Sequence, residues 1–208
     1  AAGIVIVQSA GNSGPNCSPV NAPAVIYDEV LTIGNTDIND NINSSSSRGP
    51  VTVDGSNRMK PDVSAPGTSV RSSVPGTGYA TFTGTSMSAP HVAGMVALLL
   101  SGQPALRGQV DKIEDLIRQT ALPRPINTTT CGSIPPNVVP NNVYGHGRID
   151  AWNAFQNLHF ITIQNSASAF LASPGSTITY TLQITHLHPL NVTTNVVLTD
   201  VLPIGANF

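Results

Sequence analysis

Apolar residues in this 208-residue chain form a few short runs, separated by stretches rich in Ser, Asn, Gly and Pro. Two runs, residues 4–7 and 29–35, predict strands buried on both faces, as in a parallel sheet. A longer run, residues 86–100, is almost entirely apolar or small and predicts a buried helix. Because proline is tolerated only near the first turn of a helix, Pro90 predicts that this helix begins close to Ser86.

The pattern changes twice after residue 100. Residues 109–120 carry apolar side chains on one stripe and charged side chains opposite, which predicts an amphipathic surface helix. That stripe consists of Val110, Ile113, Leu116 and Ile117. Asp150 is predicted to cap a last short helix. From residue 158 onward, β-forming segments alternate with turns, which predicts a small antiparallel β module with strands near 160–163, 176–184 and 192–201.

The predicted N-terminus of the long helix carries Ser86. Free backbone N–H groups and the positive end of the helix dipole lie there, where a serine alkoxide or a developing oxyanion is stabilised. Position alone leaves two interpretations open. Ser86 is an N-cap, a position that serine favours, or it is a nucleophile.

Residues 84–94 read Gly-Thr-Ser-Met-Ser-Ala-Pro-His-Val-Ala-Gly. This string closely resembles the nucleophile motif of the subtilisin-like serine peptidases, with Ser88 where many members carry alanine. The α/β-hydrolases require Gly-x-Ser-x-Gly, and Ser88 stands at the position of the second glycine, which disfavours that class. The resemblance implies an α/β fold, a parallel sheet with flanking helices, and Ser86 as the residue that attacks a peptide carbonyl.

Asn12 follows the first predicted strand within the segment Ala-Gly-Asn-Ser-Gly-Pro. In isolation it reads as a turn asparagine. Together with the Ser86 motif, the segment resembles the subtilisin-like stretch whose asparagine side chain donates a hydrogen bond to the oxyanion. The resemblance therefore implies that Asn12 is a catalytic residue.

The resemblance also implies a specificity pocket for polypeptide substrates. Ser9, Ala10 and Gly11 would form one wall, and Asn21 would lie near the base. A small, polar base does not favour a charged substrate side chain. Pro23, in the same region, stays open between the cis peptide bond common at the family's matching proline and an ordinary trans bond.

The Asp and His of a catalytic triad have no match in this sequence. The family order is Asp, His, Ser, so Asp62, which follows Lys-Pro, is expected to be structural, as are His91 and His146. We interpret the chain as the C-terminal part of a serine endopeptidase domain whose Asp and His lie upstream, so the chain alone should be nearly inactive. The alternative is a non-catalytic surface or binding protein on a peptidase scaffold.

The charge and cysteine content bear on the partners and the disulfide of the protein. Nine Lys and Arg stand against eleven Asp and Glu, so no basic patch indicates a nucleic-acid partner. No apolar run reaches the roughly 20 residues of a membrane-spanning helix, and the sequence makes no prediction of oligomeric state. Cys17 and Cys131 favour a disulfide, because free thiols are unusual in a secreted peptidase. Two unrelated loop thiols are the alternative.

Neither a catalytic metal nor a cofactor is expected. Neither cysteine belongs to a Cys-x-x-Cys sequence or lies near clustered histidines, and the implied serine chemistry requires no cofactor. The polar segment 35–47 contains Asp37 and Asp40. A surface loop is the favoured interpretation of this segment, and a weak structural Ca²⁺ site is the other.

The resemblance divides the chain at residue 157. Residues 1–157 resemble the C-terminal part of a subtilisin-like peptidase domain. Residues 158–208 resemble the Ig-like extracellular modules of bacterial surface and secreted proteins, although about 50 residues fall short of the about 100 of a full sandwich. The expected architecture is a partial α/β domain followed by a small, truncated all-β module, and the expected location is secreted or cell-surface.

Overall fold

The computed structural model describes residues 2–125, 131–135, 137–158, 161–167 and 179–186. Its backbone forms two compact units, Ala1–Leu158 and His159–Phe208. All of the candidate site residues belong to the first unit.

A parallel sheet with strand order β1-β2-β3 forms the centre of the first unit. Strand β1 is Ile6–Ser9, β2 is Val30–Thr36 and β3 is Val63–Pro66. Every residue of β2 is buried, because this strand lies between both neighbours. The strand predicted at residues 29–35 is thereby confirmed, and the three parallel strands end at one edge of the sheet.

Strand β1 is less buried than the sequence predicts. It lies at the sheet edge and pairs only with β2 among the described strands, and its residues alternate between exposed and half-buried. Ile6 is 49% exposed. The β-branched run identifies a strand, but burial on both faces needs covering layers, and these are missing from the part of the chain that the structure describes.

Helix α1, Thr85–Gly102, begins one residue from the predicted start. Pro90 is its sixth residue, further inside the helix than expected. The face packed on the sheet consists of Thr85, Ser88, Val92, Met95, Val96 and Leu99. The opposite face is exposed although largely apolar, and it consists of Pro90, His91, Ala93, Gly94, Ala97 and Leu98. The prediction of a fully buried helix is therefore wrong for the described residues, because the sheet covers one side only.

A hairpin precedes α1, and two further helices follow it. The hairpin pairs β4, Val70–Ser73, with β5, Tyr79–Phe82. Helix α2, Val110–Thr120, buries Ile113 and Ile117 of the predicted stripe. Helix α3, Ala151–Gln156, is capped as predicted, with Asp150 Oδ1 accepting from the Asn153 N–H at 2.9 Å. None of the helices in the described ranges is both long and apolar enough to cross a bilayer.

A disulfide joins Cys17 to Cys131 across 114 residues of sequence. Cys131 is buried beside Val143 and Tyr144, whereas Cys17 is exposed. The bond therefore ties the loop that follows β1 to the segment between α2 and α3, as the sequence favoured.

Loss of this disulfide is expected to destabilise the first unit substantially. A cross-link over so long a loop restricts the unfolded chain, and removing a native disulfide typically costs about 2 to 5 kcal/mol. We expect a Cys17→Ala/Cys131→Ala double variant to lose stability in this range when unfolding in urea is followed by circular dichroism. Reductant should lower the midpoint of the natural protein and leave the double variant unchanged. A response of the double variant to reductant would contradict this account.

The second unit contains an antiparallel pair among its described residues. Strand β6, Ile161–Ala167, pairs with β7, Tyr180–His186, over their full length. The strand predicted at 192–201 lies outside the described residues. Assignment of this unit to the Ig-like class stays a prediction.

Candidate active site

A tight turn connects β5 to α1 and carries the candidate nucleophile. The Gly84 N–H donates to the Gly67 carbonyl at 2.9 Å, and the Gly84 carbonyl accepts from the Met87 N–H at 2.9 Å. Ser86 is the second residue of α1 and is exposed. Its hydroxyl therefore projects beside the free N–H groups of a first helical turn, where negative charge is stabilised.

Asn12 is held next to this turn by Thr85. Its Oδ1 accepts from the Thr85 N–H at 2.9 Å and from the Thr85 hydroxyl at 3.2 Å. The backbone N–H can only donate, so the carboxamide oxygen is the atom that faces Thr85. A Cβ added at Gly84 would lie 3.3 Å from Asn12 Nδ2. The amide therefore lies alongside the turn, and its Nδ2 makes no hydrogen bond within the described ranges.

Ser47 supports the loop that carries Asn12. Its N–H donates to the Gly11 carbonyl at 2.9 Å, and its Oγ accepts from the Ser13 N–H at 3.1 Å. These two hydrogen bonds fix the backbone on both sides of Asn12. Local sequence patterns do not identify Ser47, because its partner is 34 residues away. Thr85 at least lies within the Ser86 motif.

Gly67 allows the end of β3 to pack directly against the turn. A Cβ at this position would collide with Ser88 Oγ and would lie 2.6 Å from Asn35 Oδ1 and 2.8 Å from the Gly84 carbonyl. Ser88 is fully buried, and its hydroxyl has no hydrogen-bond partner among the described residues. Any side chain larger than hydrogen at Gly67 would therefore displace the turn.

The residues predicted to line a specificity pocket occupy two segments. Ser9, Ala10 and Gly11 run from the end of β1 into the Asn12 loop. Asn21 lies on an exposed loop, and within the described ranges no hydrogen bond joins it to that wall. The cis peptide bonds of the described residues do not include the one before Pro23, so the trans alternative holds there. The pocket itself stays a prediction.

The described histidines make no hydrogen bond to Ser86. His91 lies on the exposed face of α1, with Nδ1 2.8 Å from the Met87 carbonyl. His146 is half-buried, and its backbone N–H donates to the Asp62 carbonyl at 2.8 Å. The described part of the site thus offers a candidate nucleophile and hydrogen-bond donors, and no described histidine bonded to it.

Asp62 is the centre of a buried ion network. Its Oδ2 accepts from the Thr32 N–H at 2.8 Å and from Lys60 Nζ at 2.7 Å, and its Oδ1 lies 3.3 Å from Arg118. Arg118 also donates to Glu114 at 2.9 Å. Burial raises the pKa of Glu114, against the opposing effect of Arg118. Both oxygens of Asp62 are engaged within the fold, as expected for a structural carboxylate.

His146 is expected to give the protein a pH-dependent contribution to stability. Burial lowers its pKa, Arg118 acts in the same direction, and Asp62 and Asp115 oppose them. In the unfolded chain the pKa of a histidine is about 6.5. As the pH falls below this value, the unfolded state takes up a proton before the folded state does, and this favours unfolding. We expect the contribution to be present above pH about 6.5 and to be lost as the pH falls below it. Urea unfolding between about pH 5 and pH 8 measures this loss.

Two histidine variants separate this effect from general charge effects. The His146→Gln variant should lose this part of the pH dependence, whereas His91→Gln removes an exposed histidine and should keep it. Parallel curves for His146→Gln and the natural protein would contradict the assignment.

The acidic side chains of the loop at residues 35–47 accept hydrogen bonds from other groups of the protein. Asp37 Oδ1 accepts from the N–H groups of Asn39 and Asn41 at 2.8 and 2.9 Å, and the Asn41 N–H is the main cause that lowers the pKa of Asp37. Asp40 Oδ1 accepts from Arg148 Nε at 2.7 Å. In the described ranges no three His, Cys, Asp or Glu side chains are grouped as a metal site requires. The weak Ca²⁺ site stays a prediction.

Comparison with known proteins finds several related peptidases. Bacillopeptidase F of Bacillus subtilis (strain 168) is 39% identical over 145 residues, which cover 69% of this chain and 9% of that protein. Subtilisin DY of Bacillus licheniformis is 44% identical over 108 residues, covering 51% of this chain and 36% of its own length. Thermitase of Thermoactinomyces vulgaris is 40% identical over 121 residues, which cover 57% of this chain and 39% of that protein. The chain thus spans less than half the length of these relatives.

A solved structure shares the fold. The prenylagaramide maturation protease PagA superposes with a TM-score of 0.58 at 23% identity, covering 74% of this chain and 50% of that one. Similarity at this identity shows the fold alone, a mixed α/β architecture with a parallel sheet. The model of the subtilase family of peptidases matches residues 1–147, which include the Asn12 loop and the whole Ser86 motif. The chain therefore belongs to the subtilase family.

Proposed function

We propose that the protein is a serine endopeptidase that cleaves polypeptides through an acyl-enzyme on Ser86. The observation that carries this proposal is the pairing of an exposed Ser86 at a helix N-terminus with Asn12, whose oxygen is fixed by Thr85 at 2.9 Å. Subtilase membership supports the same reaction class. No cofactor enters the reaction.

In this mechanism Ser86 Oγ attacks the peptide carbonyl carbon and its proton passes to a general base. The carbonyl oxygen becomes an oxyanion, which accepts hydrogen bonds from Asn12 Nδ2 and from the Ser86 N–H. Collapse of the tetrahedral intermediate breaks the C–N bond, and the base returns the proton to the leaving amine. Water then hydrolyses the acyl-enzyme by the same route.

The general base and its Asp are proposed to come from sequence upstream of residue 1. Two features of the described residues support this. The exposed apolar face of α1 and the edge strand β1 form a surface of the kind that a further layer of a protein covers, and relatives of the chain are at least twice as long as the segment they share with it. We therefore propose that the 208-residue chain alone is nearly inactive.

Fluorophosphonate labelling tests the proposal directly. The reagent reacts with a serine that a base has activated, so the natural protein with its upstream sequence should label and the 208-residue chain should not. A correctly folded and processed natural protein that fails to label would favour the alternative, a non-catalytic surface or binding protein on a peptidase scaffold. The exposed apolar face of α1 is the feature that supports this alternative, because such a face can bind another protein.

We further propose that the protein acts outside the cell. The Cys17–Cys131 disulfide is of the kind that persists in oxidising compartments. The unit at residues 159–208 is proposed to be an Ig-like module or part of one. Its removal should leave peptide hydrolysis intact if it serves in attachment or spacing, which cell fractionation and activity assays of the shortened protein would measure.

A further inference from the structure

Arg48 is a buried cation that lacks a carboxylate partner within the described ranges. The residue is 7% exposed, and its Nε is shielded from solvent with no hydrogen-bond partner among the described residues. Across the described ranges its guanidinium forms no ion pair, whereas Arg58, Arg118, Arg124 and Arg148 each lie within 4.0 Å of a carboxylate. An arginine in this state is unusual, because charged side chains are almost never buried without a partner.

Lys60, another buried cation of this unit, is paired with an acidic residue. Lys60 is 1% exposed, and its Nζ donates to Asp62 Oδ2 and to the Val30 carbonyl, each at 2.7 Å. Removing one partner from such a pair is strongly destabilising, because the remaining charge is left uncompensated. By this comparison Arg48 corresponds to a buried pair with its acidic half removed.

The described residues do not contain that acidic half. The chain has eleven Asp and Glu side chains, and Asp200 is the only one outside the described ranges. No carboxylate of the other acidic residues lies within 4.0 Å of Arg48. A carboxylate that pairs with Arg48 would therefore come from outside the described part of the chain.

The backbone around Arg48 is fixed on both sides by hydrogen bonds. The Ser47 N–H donates to the Gly11 carbonyl at 2.9 Å, and the Gly49 N–H lies 2.9 Å from the Lys60 carbonyl and 3.0 Å from the Asn142 carbonyl. Burial lowers the pKa of Arg48, and Tyr144 opposes this. The guanidinium thus lies in surroundings that disfavour its charge.

We propose that Arg48 is the cationic half of an anion site that binds a carboxylate from outside the described residues. A carboxylate matches the single charge of one guanidinium and can accept two parallel N–H hydrogen bonds from it. A phosphate dianion would leave excess negative charge beside one arginine. The carboxylate is a free one from solution or an Asp or Glu side chain elsewhere in the protein.

Thermal unfolding of the natural protein at pH 7, in sodium acetate and in sodium chloride of equal ionic strength, tests the site. The variants are Arg48→Met, which removes the charge at similar volume, and Arg48→Lys, which keeps the charge without the planar fork. Arg58→Met is the matched control, because Arg58 already has Asp54 as its partner at 2.7 Å.

If the site binds a free carboxylate from solution, acetate should raise the melting temperature of the natural protein and of Arg58→Met by about 3 °C or more at saturation. The melting temperature of Arg48→Met should then be the same in both salts. If the carboxylate belongs to the protein itself, acetate should have no effect on the melting temperature. Arg48→Met should then lower the melting temperature more than Arg58→Met does, and Arg48→Lys should lower it less than Arg48→Met. If Asp200 supplies it, Asp200→Asn should reproduce that loss. The proposal is overturned if Arg48→Met is at least as stable as the natural protein in both salts, or if it keeps the acetate response.

Discussion

The Ser86→Ala variant of the natural protein is expected to lose peptide hydrolysis almost completely, with kcat falling by about 10⁶. Removal of the nucleophilic serine has an effect of that size in subtilisin, the namesake of the family. The proposed reaction passes through an ester on Ser86 Oγ, and alanine offers no atom that can form it. Because Ser86 is exposed and its hydroxyl supports no described hydrogen bond, the variant should fold normally. Initial rates on a peptide substrate, with circular dichroism of the same samples, measure both effects.

Ser88→Ala is the matched control for this experiment. Ser88 lies in the same helical turn, but it is fully buried and its hydroxyl has no partner among the described residues. Its loss should leave turnover close to that of the natural protein, since no step uses it. If Ser86→Ala retained turnover, or if Ser88→Ala abolished it without unfolding, Ser86 would not be the nucleophile.

The second large effect is expected at Asn12. Replacing Asn12 by alanine should lower kcat by about 10²–10³, the magnitude known for the oxyanion donor of subtilisin. The KM should change little, because the Nδ2 hydrogen bond strengthens only as charge develops on the carbonyl oxygen. Steady-state kinetics of Asn12→Ala on one peptide substrate give both constants.

Two comparisons make the Asn12 result specific. Asn16→Ala changes an exposed asparagine in the same loop and should leave both constants unchanged. Fluorophosphonate should still label Asn12→Ala, although more slowly, because the nucleophile and its base remain. An unchanged kcat in Asn12→Ala would remove Asn12 from the mechanism.

The parts of the fold that the sequence predicts well depend on short-range signals. Strand β2, the start of α1 and the Asp150 cap each follow from a few neighbouring residues, such as the apolar run before Asn35 or the serine ahead of Pro90. Asn12 and Ser86 were identified because each lies in a recognisable segment. The hydrogen bonds that join these segments connect residues 73 positions apart, and their geometry required the structure.

Features that depend on distant or external partners are the ones that sequence reasoning missed. The exposed faces of β1 and α1 have the composition of buried elements, and composition does not say whether a covering layer is present. The lack of a carboxylate partner at Arg48 depends on where ten acidic residues lie in three dimensions. Ser47 likewise acquires its role from folding, because its partner Ser13 belongs to another loop.

The disulfide between Cys17 and Cys131 would hold together a molecule whose backbone a protease has cut. The backbone segment that it closes includes β2 to α2 and the Ser86 turn, as well as the exposed hairpin tip at residues 75–78. A single cut anywhere within this segment leaves both pieces covalently joined. A nicked molecule would therefore migrate as one species without reductant and as two with it, and its Ser86 turn could not diffuse away from Asn12.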